Sequence, residues 1–489
     1  MILALPWIPL LGSVAILFTP RQRHDLLKQI AIFCCGLSFC ITLFYLFRFQ
    51  PDGGFQFIYE FSWLPSMGIS YKVGFDGINM TLCLLHALVS FAGVFMACST
   101  QDRLKDYLFF YLILTGAIYG VFTALDLFFL YLFYELTLIP LYPMIGIWGS
   151  KNKEYGAMKL TIFITTGAVL ALFGILLLYR QTGYQTFDLI KIKDMLQIAP
   201  PMLHSQTLWA ALFLTGFGVI ASLWPLHSWS PIGYAAAPTS VSMLHAGVLK
   251  KMGPYLMLRL AVGLLPAGTL ACAPYLAWLS AIGILYAGYA AIKQQDLKFM
   301  IGFSSVSHMG YILLGIAAMT QTSLSGAVLL MFSHGVMAAA TFAVIGFIYE
   351  QAHMRGVSDF GGLGKKIPFI GICFVLTSFA SLGLPGFSNF VSELLIFIGS
   401  WQKYPVLVAL AVFGVLITSI YLLRAVQKVV YGPVNPRWEK LADAITLFQK
   451  FPFILLIASL ILFGVWPQGL LRLIQPAVQN LLQITPVMP

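Results

Sequence analysis

The sequence predicts an all-α polytopic membrane protein of about fourteen transmembrane helices, several of them discontinuous, and three observations predict it. Of 489 residues, 60% are hydrophobic and only 9% charged, with a mean hydropathy of +0.88, whereas a soluble domain carries about 25% charged residues. Apolar runs of about 18 to 25 residues recur from end to end, each long enough to cross a hydrocarbon core of about 30 Å, where only helices satisfy their own backbone groups. The connections between the runs are short and hold most of the Lys and Arg, the pattern by which a polytopic chain sets its orientation.

The first run, 2–19, lacks a basic n-region and an A-x-A site and reads as a retained helix, not a cleaved signal. Runs follow at 27–48, 77–99, 107–125, 126–149, 157–179 and 207–229. The polar connections 49–76 and 180–206 are the longest, yet too short to bury a core of their own, so residues 1–489 read as one membrane domain. Runs at 239–263, 274–292, 298–318, 323–348, 367–400, 404–428 and 452–472 complete the set. Gly and Pro interrupt several of them, at Pro140, Pro225, Gly253-Pro254 and Gly383 to Pro385. In transporters such breaks turn freed backbone groups toward a wet cavity.

Alternate loops carry Arg21, Arg23, Arg103, Lys105, Lys151, Lys153, Lys293, Lys298, Arg355, Lys365, Lys366 and Arg437. That asymmetry puts both termini on the outer side. The net charge of +11 is spread over these loops and forms no patch for nucleic acid. The seven cysteines are scattered through apolar runs without CxxC spacing and read as small core residues. No phosphate loop, nucleophile elbow, metal cluster or cofactor fingerprint occurs, so no metal or cofactor is expected on this chain.

The remaining charges lie where they are expensive. An ionised side chain at the centre of a membrane helix costs about 2.5–3.5 kcal/mol on the lenient scales and marks a functional candidate. Glu135 lies in LFFLYLFYELTLIPLYPM, Lys250 and Lys251 in MLHAGVLKKMGPYLML, and Glu393 in NFVSELLIFIG. Snorkelling can rescue a lysine but not the short Glu135. His245, His308 and His334 stand in three of the central runs and could bridge from Lys251 to Glu393. Glu, Lys and His joined by water are the minimum hardware for a proton relay. His245 and Lys250 are five residues apart, about 140° on a helix, and are expected to face different partners.

The segments YELTLIPLYPMIGIWG, WPLHSW, AAAPTSVSMLHAGVLKKMGPYLMLR, DLKFMIGFSSVSHMGYILLG, MFSHGVMAAATF and SLGLPGFSNFVSEL resemble the antiporter-like membrane subunits of respiratory complex I. The likeness is to the M type, called 4 in mitochondria and D in chloroplasts and cyanobacteria, and runs from Gly74 to Gly432. The resemblance implies two inverted five-helix repeats, each with a discontinuous helix. Here they would occupy 107–263 and 274–428, after N-terminal helices within 1–100 and before a C-terminal helix at 452–472. It implies a proton relay of Glu135, Lys251, His308, His334 and Glu393. His227 of the PLH motif, Lys159, Asp126 and Lys298 are secondary candidates, with His245 and Lys250 as candidates for compensation.

Two departures bear on that relay. The family's lysine five residues before the PLH proline is Ile220 here, and Pro-Asp-Ala-His is replaced by Pro231-Ile232-Gly233-Tyr234. The usual partner of Glu135 is therefore absent. The resemblance implies a proton-translocating subunit of a quinone oxidoreductase in a bacterial inner membrane, a thylakoid or another energy-coupling membrane. It would assemble with other membrane-arm subunits, neighbouring antiporter-like chains among them, while flavin, iron–sulfur clusters and the quinone site lie on partner chains. Two alternatives are a subunit of a multisubunit sodium/proton antiporter without a redox partner, and a structural spacer that has lost pumping.

Overall fold

The structure is a computed structural model describing residues 2–438 and 440–483. In chain order the elements are α1 (Ala4–Phe18), α2 (His24–Arg48), a hairpin of β1 (Gln56–Leu64) and β2 (Ile69–Phe75), α3 (Gly77–Ala97), α4 (Leu104–Thr123), α5 (Leu127–Trp148) and α6 (Lys153–Gln181). They continue with α7 (Leu189–Ile198), α8 (Leu203–Ala221), α9 (Trp229–Ala236), α10 (Thr239–Leu244), α11 (Lys250–Leu256), α12 (Pro266–Lys293), α13 (Leu297–Ala318) and α14 (Gln321–Ala352). The last are α15 (Leu363–Lys366), α16 (Pro368–Ser381), α17 (Ser388–Trp401), α18 (Pro405–Val429), α19 (Leu447–Val465) and α20 (Gln468–Leu482).

Eleven helices among the described residues are long and apolar enough to cross a membrane. The short α1, the α10–α11 path extended by π-helical turns, and the half-helices α16 and α17 bring the spans to the fourteen expected. At the centre stands α14, whose most apolar window is wholly buried, packed against α13, α17 and α3.

One order of elements occurs twice. The series α4, α5, α6, the broken pair α8 and α9, and α10–α11 is followed by α12, α13, α14, the broken pair α16 and α17, and α18. The second helix of each series starts on an aspartate N-cap. Asp126 accepts from the N–H of Phe128 and Phe129, and Asp296 from those of Lys298 and Phe299, filling orphan donors of the first turn. Arg355 ties Ser150, just past the end of α5, to Asp296 at the start of α13, at 3.1 Å each. Thus α5 and α13 run in opposite directions, and the two series are inverted.

Four sequence expectations are corrected. The connection 49–76 contains an antiparallel hairpin whose second strand is buried throughout; Ile69, Tyr71, Val73 and Phe75 alternate there with Ser70, Lys72 and Gly74, the period of a strand, in a stretch read only as a polar connection. The connection 180–206 contains α7, which buries Leu189, Ile192 and Leu196 along one face. The last membrane helix ends at Val465, before Trp466-Pro467, and α20 turns away as an amphipathic helix burying Leu470, Ile474, Ala477, Val478 and Leu481. Cys40 is exposed and Cys272 half-buried, so only the other five cysteines are core residues.

The hairpin is clamped from below. Asp126 also accepts from the Ser70 N–H at 3.0 Å, and the Lys72 ammonium donates to Asp188 at 2.6 Å with Glu60 3.4 Å away. Burial disfavours that ammonium, but Asp188 and then Glu60 outweigh it and hold Lys72 above the ordinary lysine value.

Candidate functional site

The break between α16 and α17 builds one end of the site. When α16 stops at Ser381, Leu382 bonds back to Ser378, Gly383 to Ala380 and Leu384 to Phe379. His308 on α13 lies against the carbonyl of Ser381 that the break leaves open, its Nε2 3.1 Å away, while Nδ1 meets the Ser304 carbonyl at 2.8 Å. A neutral imidazole has one N–H for these two acceptors; an imidazolium fills both. Glu393 on α17 brings Oε1 to 3.8 Å from the same Nε2. Gly383, at φ +68°, faces the carboxylate, and a Cβ there would stand 2.8 Å from Oε2.

The line continues inward. The His334 ring on α14 lies 5.0 Å from that of His308, and neither of its nitrogens has a hydrogen-bond partner among the described residues. Its basic neighbours are Lys251, His308 and Lys250. Lys251 is fully buried and its ammonium donates to the Ala246 carbonyl five residues earlier, within the π-helical turn His245–Leu249. Buried polar atoms without partners are rare in folded proteins. Those of this chain are spread through the bundle, and His334, Ser381, Ser388 and Asn389 are among them.

The same π-helical turn overturns the expectation for His245 and Lys250. Its wider winding brings residues five apart onto one face, and both side chains meet Tyr234: the His245 ring at 5.1 Å, the Lys250 ammonium at 5.4 Å from the ring centre. Lys250 donates to Ser230 Oγ at 3.2 Å and Ser305 Oγ at 3.3 Å. His227, in the break between α8 and α9, has Lys250 and Lys159 as basic neighbours, so the row of basic groups reaches α6. No carboxylate lies within ion-pair distance of Lys159, Lys250 or Lys251 among the described residues.

Three expected site residues lie off this line. Glu135 is half-buried and shares the outward stripe of α5 with the exposed Leu132, Ile139 and Tyr142; its near neighbours are Tyr131 and Tyr134. Asp126 caps α5 and holds the hairpin. Lys298 sits at the basic-loop end, donating to the Ala237 carbonyl at 2.8 Å beneath Tyr349. Ile220 is buried against Gly253, where a Cβ would stand 2.8 Å from its Cγ2. Sequence reasoning missed Ser230, Ser305, Ser381 and Asn389. Hydroxyls and amides flanking a helix break are a signal for Ser381 and Asn389, whereas Ser305 lies within the continuous α13.

Residues 124–418 match the family model described as NADH:quinone oxidoreductase/Mrp antiporter, TM. The chain is 33% identical over 484 residues to the NADH-quinone oxidoreductase subunit M of Rickettsia bellii (strain RML369-C), covering 97% of each chain. Among solved structures it superposes on a chain of respiratory complex I from Thermus thermophilus with a TM-score of 0.89 at 26% identity, covering 99% of both. It also superposes on a chain of the Mrp complex from Dietzia sp. DQ12-45-1b with a TM-score of 0.85, covering 99% of this chain and 98% of that one. At 20% identity the second likeness is one of fold alone. An inverted pair of helix series, broken membrane helices and a match over more than half its length place the chain in one group: it belongs to the transmembrane family of NADH:quinone oxidoreductases and Mrp antiporters.

Proposed function

We propose that the chain is the M-type membrane subunit of a complex I type quinone oxidoreductase, moving protons through a relay driven by redox chemistry on other subunits. The observation that carries this reading is the buried series Lys251, His334, His308 and Glu393, which ends where the broken helix leaves the Ser381 carbonyl to His308. Each member can take and release a proton.

The relay residues belong to the second inverted series, at 274–428, except Lys251, which closes the first, at 107–263. Residues 1–100 and the C-terminal helix flank the two. Partners are the other membrane-arm subunits; flavin, iron–sulfur clusters and the quinone site lie on partner chains. The membrane is a bacterial inner membrane or another energy-coupling membrane, with both termini on the outer side. A sodium/proton antiporter subunit would share this fold, so the fold does not choose; the curated relatives, named as quinone oxidoreductase subunits over nearly their full length, favour the redox-coupled reading.

The test is Glu393→Gln in the whole complex, reconstituted in vesicles. It removes the titratable group at nearly constant volume. The number of protons moved per electron should fall while quinone reduction and assembly persist; an unchanged ratio rules out Glu393 as a relay member.

A further inference from the structure

Lys250 has an unusual setting for a cation in a membrane. It is completely buried, and its partners are neutral: the Ser230 and Ser305 hydroxyls at 3.2 and 3.3 Å and the face of Tyr234 at 5.4 Å. A structural buried charge is ordinarily matched by an opposite charge, because the desolvation cost is several kcal/mol per ion. Among the described residues no carboxylate offers that match here. A serine hydroxyl both donates and accepts, so this cradle suits the ammonium and the neutral amine alike. A carboxylate would suit only the first.

The cradle also joins the two halves of the chain. Ser230 belongs to α9, the half-helix of the first series, and Ser305 to α13 of the second, one turn before His308. On the face of the basic loops, a polar cavity of about 660 Å³ opens over the same seam, with Thr239, Tyr349, Glu350 and His353 in its wall and Lys298 at its floor. Lys298 donates to the Ala237 carbonyl, and Ser242 Oγ lies within 3.3 Å of that carbonyl and 3.0 Å of the Tyr234 carbonyl. From Ala237 back along α9 to Ser230 is seven residues, about 10 Å of helix.

We infer that Lys250 is itself a proton-exchange station: it takes over from the amine missing at Ile220 and is loaded from the cavity at the seam between the two halves, by way of Lys298 and Ser230. This rests on the relay reading above. One proton reaches Lys250 Nζ from the cavity side. One leaves through the Ser305 hydroxyl, which accepts it and releases its own toward His308; no bond to carbon changes and no electron moves. The other titratable groups around Nζ are Lys251, His245, His227, His308 and His334, all basic, and the phenol of Tyr234; a proton arriving at any of the basic groups favours departure from Lys250. The first half-channel through Glu135 is then not needed for loading, in keeping with the outward position of Glu135.

The experiment compares Lys250→Met, Lys250→Arg, the double variant Ser230→Ala with Ser305→Ala, and Glu393→Gln, each in the intact complex in vesicles with assembly and quinone reduction measured alongside. Arginine keeps the charge but does not deprotonate in proteins. An exchange station therefore fails in the arginine variant as in the methionine variant, and protons per electron fall in both to the level of Glu393→Gln. If Lys250→Arg keeps the parent ratio, the residue supplies charge or packing only and the inference is overturned. If Lys250→Met does not assemble, the arginine and double-serine variants decide, the latter expected to slow translocation at unchanged assembly. An intact ratio in every Lys250 and serine variant, with a loss in Glu393→Gln, overturns this inference alone. An intact ratio in Glu393→Gln as well overturns the relay reading.

Discussion

Glu393 keeps its place beside His308 because Gly383 has no side chain. At φ +68° the glycine accepts a left-handed conformation that costs an L-residue about 1–2 kcal/mol, and any Cβ would push on Glu393 Oε2. Gly383→Ala should therefore lower stability by roughly that amount and shift the carboxylate away from Nε2. Protons per electron should fall more than thermal stability does, as read from vesicle pumping and from the inactivation temperature of the solubilised complex. At this scale the sequence was legible wherever a charge interrupted an apolar run: Lys251, Glu393 and Lys250 stand out because the bilayer makes them costly. Ser230, Ser305 and Tyr234 were not legible. Serine and tyrosine are ordinary in membrane helices, and only the fold shows that two serines from different halves meet one ammonium.

Elements were legible in proportion to their period and length. Long apolar helices declare themselves, whereas the π-helical turns at His245–Leu249 and Met257–Val262 leave composition untouched while changing which residues share a face. That is why His245 and Lys250 converge on Tyr234 against the α-helical expectation. The hairpin carried its signal in the alternation of Ile69, Tyr71, Val73 and Phe75 with Ser70, Lys72 and Gly74 but is short beside the membrane runs, and Asp126 and Asp188, which hold it, are polar residues just before apolar runs, the N-cap signature. Asp188 both caps α7 and pairs with Lys72. Asparagine caps a helix about as well as aspartate, so Asp188→Asn isolates the ion pair. With Glu60 still 3.4 Å away, the loss should stay below the ~3–5 kcal/mol of a buried pair that loses its only partner. Because Lys72 sits above the ordinary lysine value in the fold, the pair stabilises fully below the unfolded lysine value of about 10.4 and fades as pH rises through the folded one. Thermal inactivation scans should thus separate parent from variant at neutral pH and bring them together in strong alkali.

The whole molecule has two kinds of surface, and Glu135 tells them apart. The helix count and the alternation of basic loops could be read from hydropathy alone, whereas which helix faces lipid and which faces protein could not, since both are apolar. On α5 the residues Leu132, Glu135, Ile139 and Tyr142 recur at helical spacing and point outward. A carboxylate facing hydrocarbon costs about 2.5–3.5 kcal/mol on the lenient scales, and this chain offers it no base within ion-pair distance among the described residues. Elsewhere in the molecule the interior carboxylate Glu393 has its basic neighbour. We therefore predict that a neighbouring subunit, with a base or a wet seam, covers the stripe around Glu135. A photoreactive residue at Leu132 should give a protein–protein adduct in the native complex, and one at Phe173, on the exposed side of α6, serves as the comparison. Adducts to lipid alone at Leu132 would place Glu135 in the bilayer and leave its charge without a partner. With a protein adduct in hand, Glu135→Gln should weaken attachment of that neighbour, seen as loss of the larger assembly on native gels, before it affects proton movement through Lys251 and Glu393.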